Sequence, residues 1–314
     1  MRLRHCGVLV LALFVLLLGG CAVQTAALKA DFPADLPPQA ELTQVPFFPQ
    51  PERYLCGPES LSAALHAAGI DTLPQALKPE VYLPGREGSL QIEMLAAARR
   101  NGAVAVTTPP TLESLLREVA GGTPVVVLMN LSLPIAPMWH YAVVVGYDAP
   151  RQLVILRSGP ERRQLMPWST FEHVWARSGY WGMVALAPGR MPAVADERQF
   201  TQALIAFERV APPARARDAY AGALQRWPTS LTLRMGLGNA LYANGQKAEA
   251  AQAFAQAGRE HPDSDAAWLN LAQTESELGH LVAARDAARR AASLAGPHAD
   301  AARSLLDSPP LRTQ

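Results

Sequence analysis

The stretch PQPERYLCGPESL, residues 49 to 61, sets Cys56 after an aromatic residue and before a Gly-Pro turn, directly ahead of an apolar helical pattern. With Pro58 in the first turn, where its missing N–H costs nothing, Cys56 falls at the helix N-terminus. There the unpaired N–H groups and the macrodipole favour thiolate over thiol, and the Cys56 backbone N–H supplies half of an oxyanion hole. Gln50, six residues earlier, is the candidate for the other half, because a loop folding back could aim its side-chain amide at developing negative charge. The chemistry would be thiol acyl transfer; the alternative is a buried structural thiol.

A thiol nucleophile needs a base, and the chain offers seven histidines. His5 lies in the apolar leader, His261, His280 and His298 lie among C-terminal helical patterns, and His173 sits in an apparent short helix. His66 shares the Cys56 helix but stands about 15 Å along its axis. His140 opens the strand pattern HYAVVVGYD and is the best candidate, its alternative being a strand-end core histidine. The following hairpin turns around residues 148 to 151, and a symmetric fold-back sets position 140 roughly opposite 158 or 159, which is Ser158 or its neighbour. Asp148 is about 26 Å of strand away from His140, while Glu161 is a weaker orienter than Ser158.

Helices should hold these groups at ESLSAALHAAG, at SLQIEMLAAARRNG with Ser89 as N-cap, and at TLESLLREVAGG. Strands should follow at PVVVLMN, HYAVVVGYD, LVILR and YWGMVAL, whose apolar runs need helical cover on at least one face. This is an α+β domain with N-terminal helices and an antiparallel sheet, expected over residues 44–189. Of the tryptophans at 139, 168, 175 and 181, most should pack in the core, though a cleft lining is open to them.

QPERYLCGPESL followed by MWHYAVVVGYD resembles the peptidase domain of the bacteriocin-processing cysteine peptidases, a papain-like group that cuts double-glycine leader peptides. The resemblance implies that Cys56 attacks, His140 is the base and Gln50 lines the oxyanion hole, on a peptide or protein substrate. The family usually has an aspartate where this chain has Ser158. Serine accepts an imidazole N–H but supplies no charge, and losing that charge in serine triads costs about four orders of magnitude in turnover.

Residues 1–20 carry Arg2 and Arg4, an apolar run from Val8 to Leu18, and LGG before Cys21. This resembles a lipobox, which implies cleavage, acylation of Cys21 and sorting to the periplasmic face of a bacterial outer membrane; an ordinary signal peptide or a short anchor is the alternative. Cys56 is then the one thiol left after Cys6 is removed and Cys21 is acylated, which flags it as reactive. Residues 21–43, rich in Ala and Pro, should form a tether of about 20 residues.

From residue 196 to 314 the chain turns Ala-, Leu- and Arg-rich. Pro228, Pro262 and Pro297 recur at intervals of 34 and 35, and Leu237, Gly238, Gly245, Ala250 and Ala257 fall in one unit where Leu271, Ala272, Gly279, Ala284 and Ala291 fall in the next. This resembles about three tetratricopeptide units, the first degenerate, with a capping helix near PHADAARSLL, and implies a groove for a protein partner; a generic α-hairpin bundle is the alternative. A net charge of +1 argues against nucleic acid as partner. No phosphate loop and no metal-spaced ligand cluster appear, so no cofactor is expected. The functional expectation is a lipid-anchored envelope cysteine peptidase; a protease-like peptide-binding adaptor that has lost turnover, or a cell-wall peptide amidase or acyltransferase, are the alternatives.

Overall fold

The computed structural model describes residues 22–49, 54–294 and 296–308. The apolar leader, the lipidation candidate Cys21 and the oxyanion-hole candidate Gln50 lie outside the described residues.

In chain order the elements are helix α1 Val23–Ala30, strand β1 Gln39–Glu41, α2 Cys56–Ala67, α3 Pro74–Val81, β2 Tyr82–Leu83, β3 Gly88–Ser89, α4 Gln91–Arg100, β4 Val104–Thr107, α5 Leu112–Ala120, β5 Val125–Asn130, β6 Trp139–Asp148, β7 Leu153–Ser158, β8 Glu161–Pro167, α6 Trp168–Ala176 and β9 Gly182–Leu186. The helical region follows as α7 Glu197–Glu208, α8 Pro213–Arg226, α9 Leu231–Ala243, α10 Lys247–Glu260, α11 Asp265–Glu277, α12 Leu281–Ser293 and α13 Ala299–Leu306.

The sheet runs β4-β9-β5-β6-β7-β8, with every neighbouring pair antiparallel. Every residue of β5 is buried, as its unbroken Val/Leu run requires of a strand covered on both faces. One face takes Leu61, Leu65, Leu77 and Met94 from α2, α3 and α4; the other takes Leu115, Phe171, Trp175 and Phe200 from α5, α6 and α7. Helix α5 shows the expected logic, with Leu112, Leu115, Leu116 and Val119 buried along one stripe and Thr111 Oγ1 accepting from the Ser114 N–H at 3.2 Å. Helix α2 is different. Its residues Cys56 through Leu65 are all buried, and the small side chains of Ser60, Ser62, Ala63 and Ala64 let it sit wholly inside the domain.

The stretch expected as a tether is folded onto the domain from Ala22 onward. Thr25 and Leu28 bury one side of α1, and the Glu172 carboxylate on α6 accepts from the N–H groups of Gln24 and Thr25 at 3.0 and 2.7 Å. A carboxylate there satisfies donors that a helix start leaves open. Strand β1 pairs with the far end of β6, Glu41 facing Gly146 just past the point where Val125 of β5 faces Val144. Local composition hides this because the partners lie more than a hundred residues away.

Helices α7 to α12 make three antiparallel pairs, capped by α13. The small residues work as expected, since a Cβ on Gly238 would overlap the Phe254 ring and one on Gly258 would come within 2.8 Å of the Trp268 ring. The boundary expected between residues 189 and 196 does not separate two cores. Buried Glu118 accepts from the N–H groups of Ala193 and Val194 at 3.0 and 2.9 Å, Gln199 donates to the Thr107 carbonyl at 2.9 Å, and Phe200, Leu204 and Phe207 pack in the same cluster as Val104 and Val184. Helix α7 covers the sheet as well as opening the helical stack. Among the described residues no helix is long and apolar enough to cross a membrane.

Candidate active site

Cys56 is the first residue of α2, as the Gly-Pro turn implied, and is 8% exposed. The absence of a Cβ on Gly57 lets β3 lie against this first turn, since an added Cβ would collide with Ser89 Oγ and stand 2.7 Å from Ser89 Cβ. Ser89 is therefore not the N-cap of α4; it pairs with Tyr82 in β3, and Leu90 holds the N-cap position without a side-chain bond. The Ser89 carbonyl accepts from the Tyr141 hydroxyl at 3.2 Å, which ties β3 to β6 beside Cys56.

The thiol is pushed above its ordinary value. Burial is the largest cause; the N–H groups of Tyr141, Gly57 and Cys56 itself act in the opposite direction, and the negative charge of Glu59 one turn along adds to the rise. The helix-end stabilisation of thiolate is thus present but is outweighed by loss of water, the usual consequence of burying a charge. Burial also pulls His140 below its ordinary value. Both shifts favour the neutral forms, thiol and imidazole.

His140 Nε2 lies 3.0 Å from Ser158 Oγ. The contact is diagonal rather than direct. Between β6 and β7 Val143 faces Arg157 and Val144 faces Leu156, a register that sets position 142, not 140, opposite Ser158. The irregularity between Val144 and Gly146 shifts the pairing by one residue from that of a symmetric hairpin, and the imidazole reaches across the remaining step. Asp148 sits at the other end of β6 facing Leu153, and Glu161 faces Ser158 across β7 and β8 but is exposed and makes no hydrogen bond to His140 among the described residues. His66 bonds Ser62 and Asp71, and His173 bonds the Ser169 carbonyl, so each is engaged elsewhere.

Cys56 and His140 reach the same strand from different elements. Cys56 and Tyr141, the residue after His140, line the same cleft, and the Tyr141 backbone N–H acts on the thiol. Among the described residues no hydrogen bond joins the thiol to the imidazole, whereas the histidine and the serine are bonded. In this neutral pair Nδ1 is the nitrogen left open for the thiol proton once Nε2–H donates to Ser158.

Cys56 opens into a cleft of about 430 Å³ lined by Arg86, Ser89, Leu128, Trp139, Tyr141 and Arg177. Sequence reasoning missed Ser89, Tyr141 and both arginines, which carry no motif of their own and are gathered by the β2-β3 pair and the end of α6. Of the four tryptophans, Trp168 and Trp175 are core residues, while Trp139 is 51% exposed on the cleft rim. Among the described residues no three His, Cys, Asp or Glu side chains converge as a metal site would need.

An interior helix bearing a cysteine at its first residue packs here against an antiparallel sheet that carries a histidine. Residues 42–183 match the family described as Peptidase_C39 like family, and residues 231–274 match the tetratricopeptide repeat. The chain therefore holds a peptidase C39-like domain followed by a helical region with tetratricopeptide repeats. Among solved structures it is similar to a C39-like peptidase from Bacillus anthracis, at 20% identity and a TM-score of 0.41, over 49% of this chain and 98% of that one. No curated protein matches it.

Proposed function

We propose that this protein is a cysteine peptidase held at the bacterial cell envelope by lipid on Cys21, with the repeats recruiting a protein substrate or partner. The observation that carries the reading is the 3.0 Å bond between His140 and Ser158, one residue along β6 from Tyr141, which lines the same cleft as Cys56. His140 Nδ1 takes the thiol proton as sulfur attacks the peptide carbonyl, and the electron pair of the carbonyl moves to oxygen. The Cys56 N–H, with Gln50, stabilises that oxyanion. Its collapse breaks the C–N bond, the amine leaves with the proton from His140, and water hydrolyses the thioester with His140 again as base. Ser158 fixes the ring and tautomer of His140 without lending it charge.

A specific observation favours a second reading, a peptide-binding adaptor with slow or absent turnover. Burial keeps both the thiol and the imidazole neutral, and Ser158 cannot stabilise an imidazolium. An electrophilic thiol probe applied across a pH series separates the two. A peptidase gives Cys56 labelling at neutral pH that slows severalfold in His140→Ala, because the imidazole takes the thiol proton; labelling with no His140 dependence assigns the adaptor.

A further inference from the structure

The β5-β6 connection, LSLPIAPM at residues 131–138, runs into Trp139 without a single charged residue. It turns its large side chains outward. Leu131 is 41%, Leu133 61%, Ile135 90%, Met138 59% and Trp139 51% exposed, so the loop is an apolar tip of which only the last residue, Trp139, lines the cleft. The loop is built rather than loose. Asn130 Oδ1 accepts from the N–H groups of Ser132 and Met138 at 3.1 and 2.9 Å, closing the neck, and Arg177 donates to the carbonyls of Asn130 and Ser132 at 3.0 and 2.6 Å. Pro134 and Pro137 stiffen what lies between. An ordered, uncharged apolar tip in water needs an apolar environment to be at its most stable.

The same helix that pins this loop receives the N-terminal segment. Arg177 caps α6, and Glu172, five residues or about 7.5 Å back along its axis, holds the first N–H groups of α1. Only Ala22 separates α1 from Cys21. One residue links Cys21 to α1, and α1 is held by Glu172 on the helix whose end pins the loop neck.

We propose that the loop 131–139 enters the lipid surface, so that the Cys56 cleft opens at the membrane and takes peptide segments emerging from it. The proposal rests on the lipid-anchored reading of Cys21. Insertion of Leu, Ile, Met and Trp side chains into the headgroup-acyl boundary is the behaviour of interfacial anchors, with tryptophan at the boundary itself.

The test uses the full lipidated protein reconstituted into phosphatidylethanolamine-phosphatidylglycerol vesicles with brominated acyl chains, which quench a tryptophan at the boundary. The expected result is quenching that disappears in Trp139→Phe and falls severalfold in Ile135→Asp, while Ile135→Asp cleaves a soluble peptide as fast as the parent. Protein that sediments with the vesicles but shows no Trp139 quenching overturns the loop proposal and leaves the anchor standing. Protein that neither sediments nor carries acyl mass on the Cys21 peptide overturns both. A Trp139 emission that ignores brominated lipid but shifts on adding peptide assigns the loop to substrate instead.

Discussion

His140 and Ser158 lie 3.0 Å apart across a diagonal of β6 and β7, at the end of the strand pair that borders the Cys56 helix. A hydroxyl here orients the ring but leaves a protonated imidazole without a neighbouring negative charge. Ser158→Asp should therefore raise turnover or leave it intact, and should move His140 toward a higher value because the carboxylate favours imidazolium. Ser158→Ala should lower turnover about tenfold with little change in KM. Peptide hydrolysis measured against pH checks both; collapse of activity in a folded Ser158→Asp variant would contradict the geometry.

The pH profile follows from burial. His140 sits below its ordinary value, so the neutral base persists to lower pH, and the acid limb of kcat/KM should fall below the ordinary histidine midpoint of about 6.5. The linkage has a definite sign. The unfolded chain binds a proton that the folded imidazole refuses, so stability declines as pH falls through the ordinary histidine value. His140→Gln should remove part of that decline between about pH 7 and pH 5, which thermal unfolding at both values will show.

Cys56 is shifted upward, chiefly by burial. Its labelling by a small electrophile should keep rising with pH beyond the range in which an exposed thiol near 8.5 levels off. Glu59→Gln removes one cause of the shift and should move the labelling midpoint down while leaving the helix intact. An unchanged midpoint in that variant would show that the Glu59 charge does not reach the sulfur.

Gly57 is fixed by space rather than by backbone angle. Gly57→Ala places a Cβ against Ser89, whose carbonyl is also held by Tyr141, and should cost about 1–3 kcal/mol of stability as an overpacked contact. Denaturant unfolding reads the loss, and Ser89→Gly in the same chain should recover part of it.

Glu172 supports the start of α1 through two buried or part-buried N–H groups. Glu172→Ala leaves those donors unpaired and should cost about 1–3 kcal/mol. Hydrogen exchange should accelerate across residues 23–30 before the sheet is affected.

Elements with strong local pattern are readable from residue type and spacing alone. The α2, α4 and α5 helices, the central β5-β6-β7 strands and the proline-spaced repeat helices all follow from apolar period, Gly and Pro positions and small residues at fixed intervals. Candidate chemistry was legible on the same terms: Cys56 at a helix start, His140 at a strand start and Ser158 across the hairpin. The features that local pattern does not carry have long-range causes. Helix α1 folds because Glu172 receives it and β1 because the edge of β6 does, the exposed β8 and short β4 form because neighbours pair with them, and α7 joins the sheet because its phenylalanines share that core. The protonation state of the site belongs with these. A helix N-terminus is written in the sequence and favours thiolate, but the water removed from around Cys56 and His140 is set by every element packed over them, and that burial holds both groups neutral.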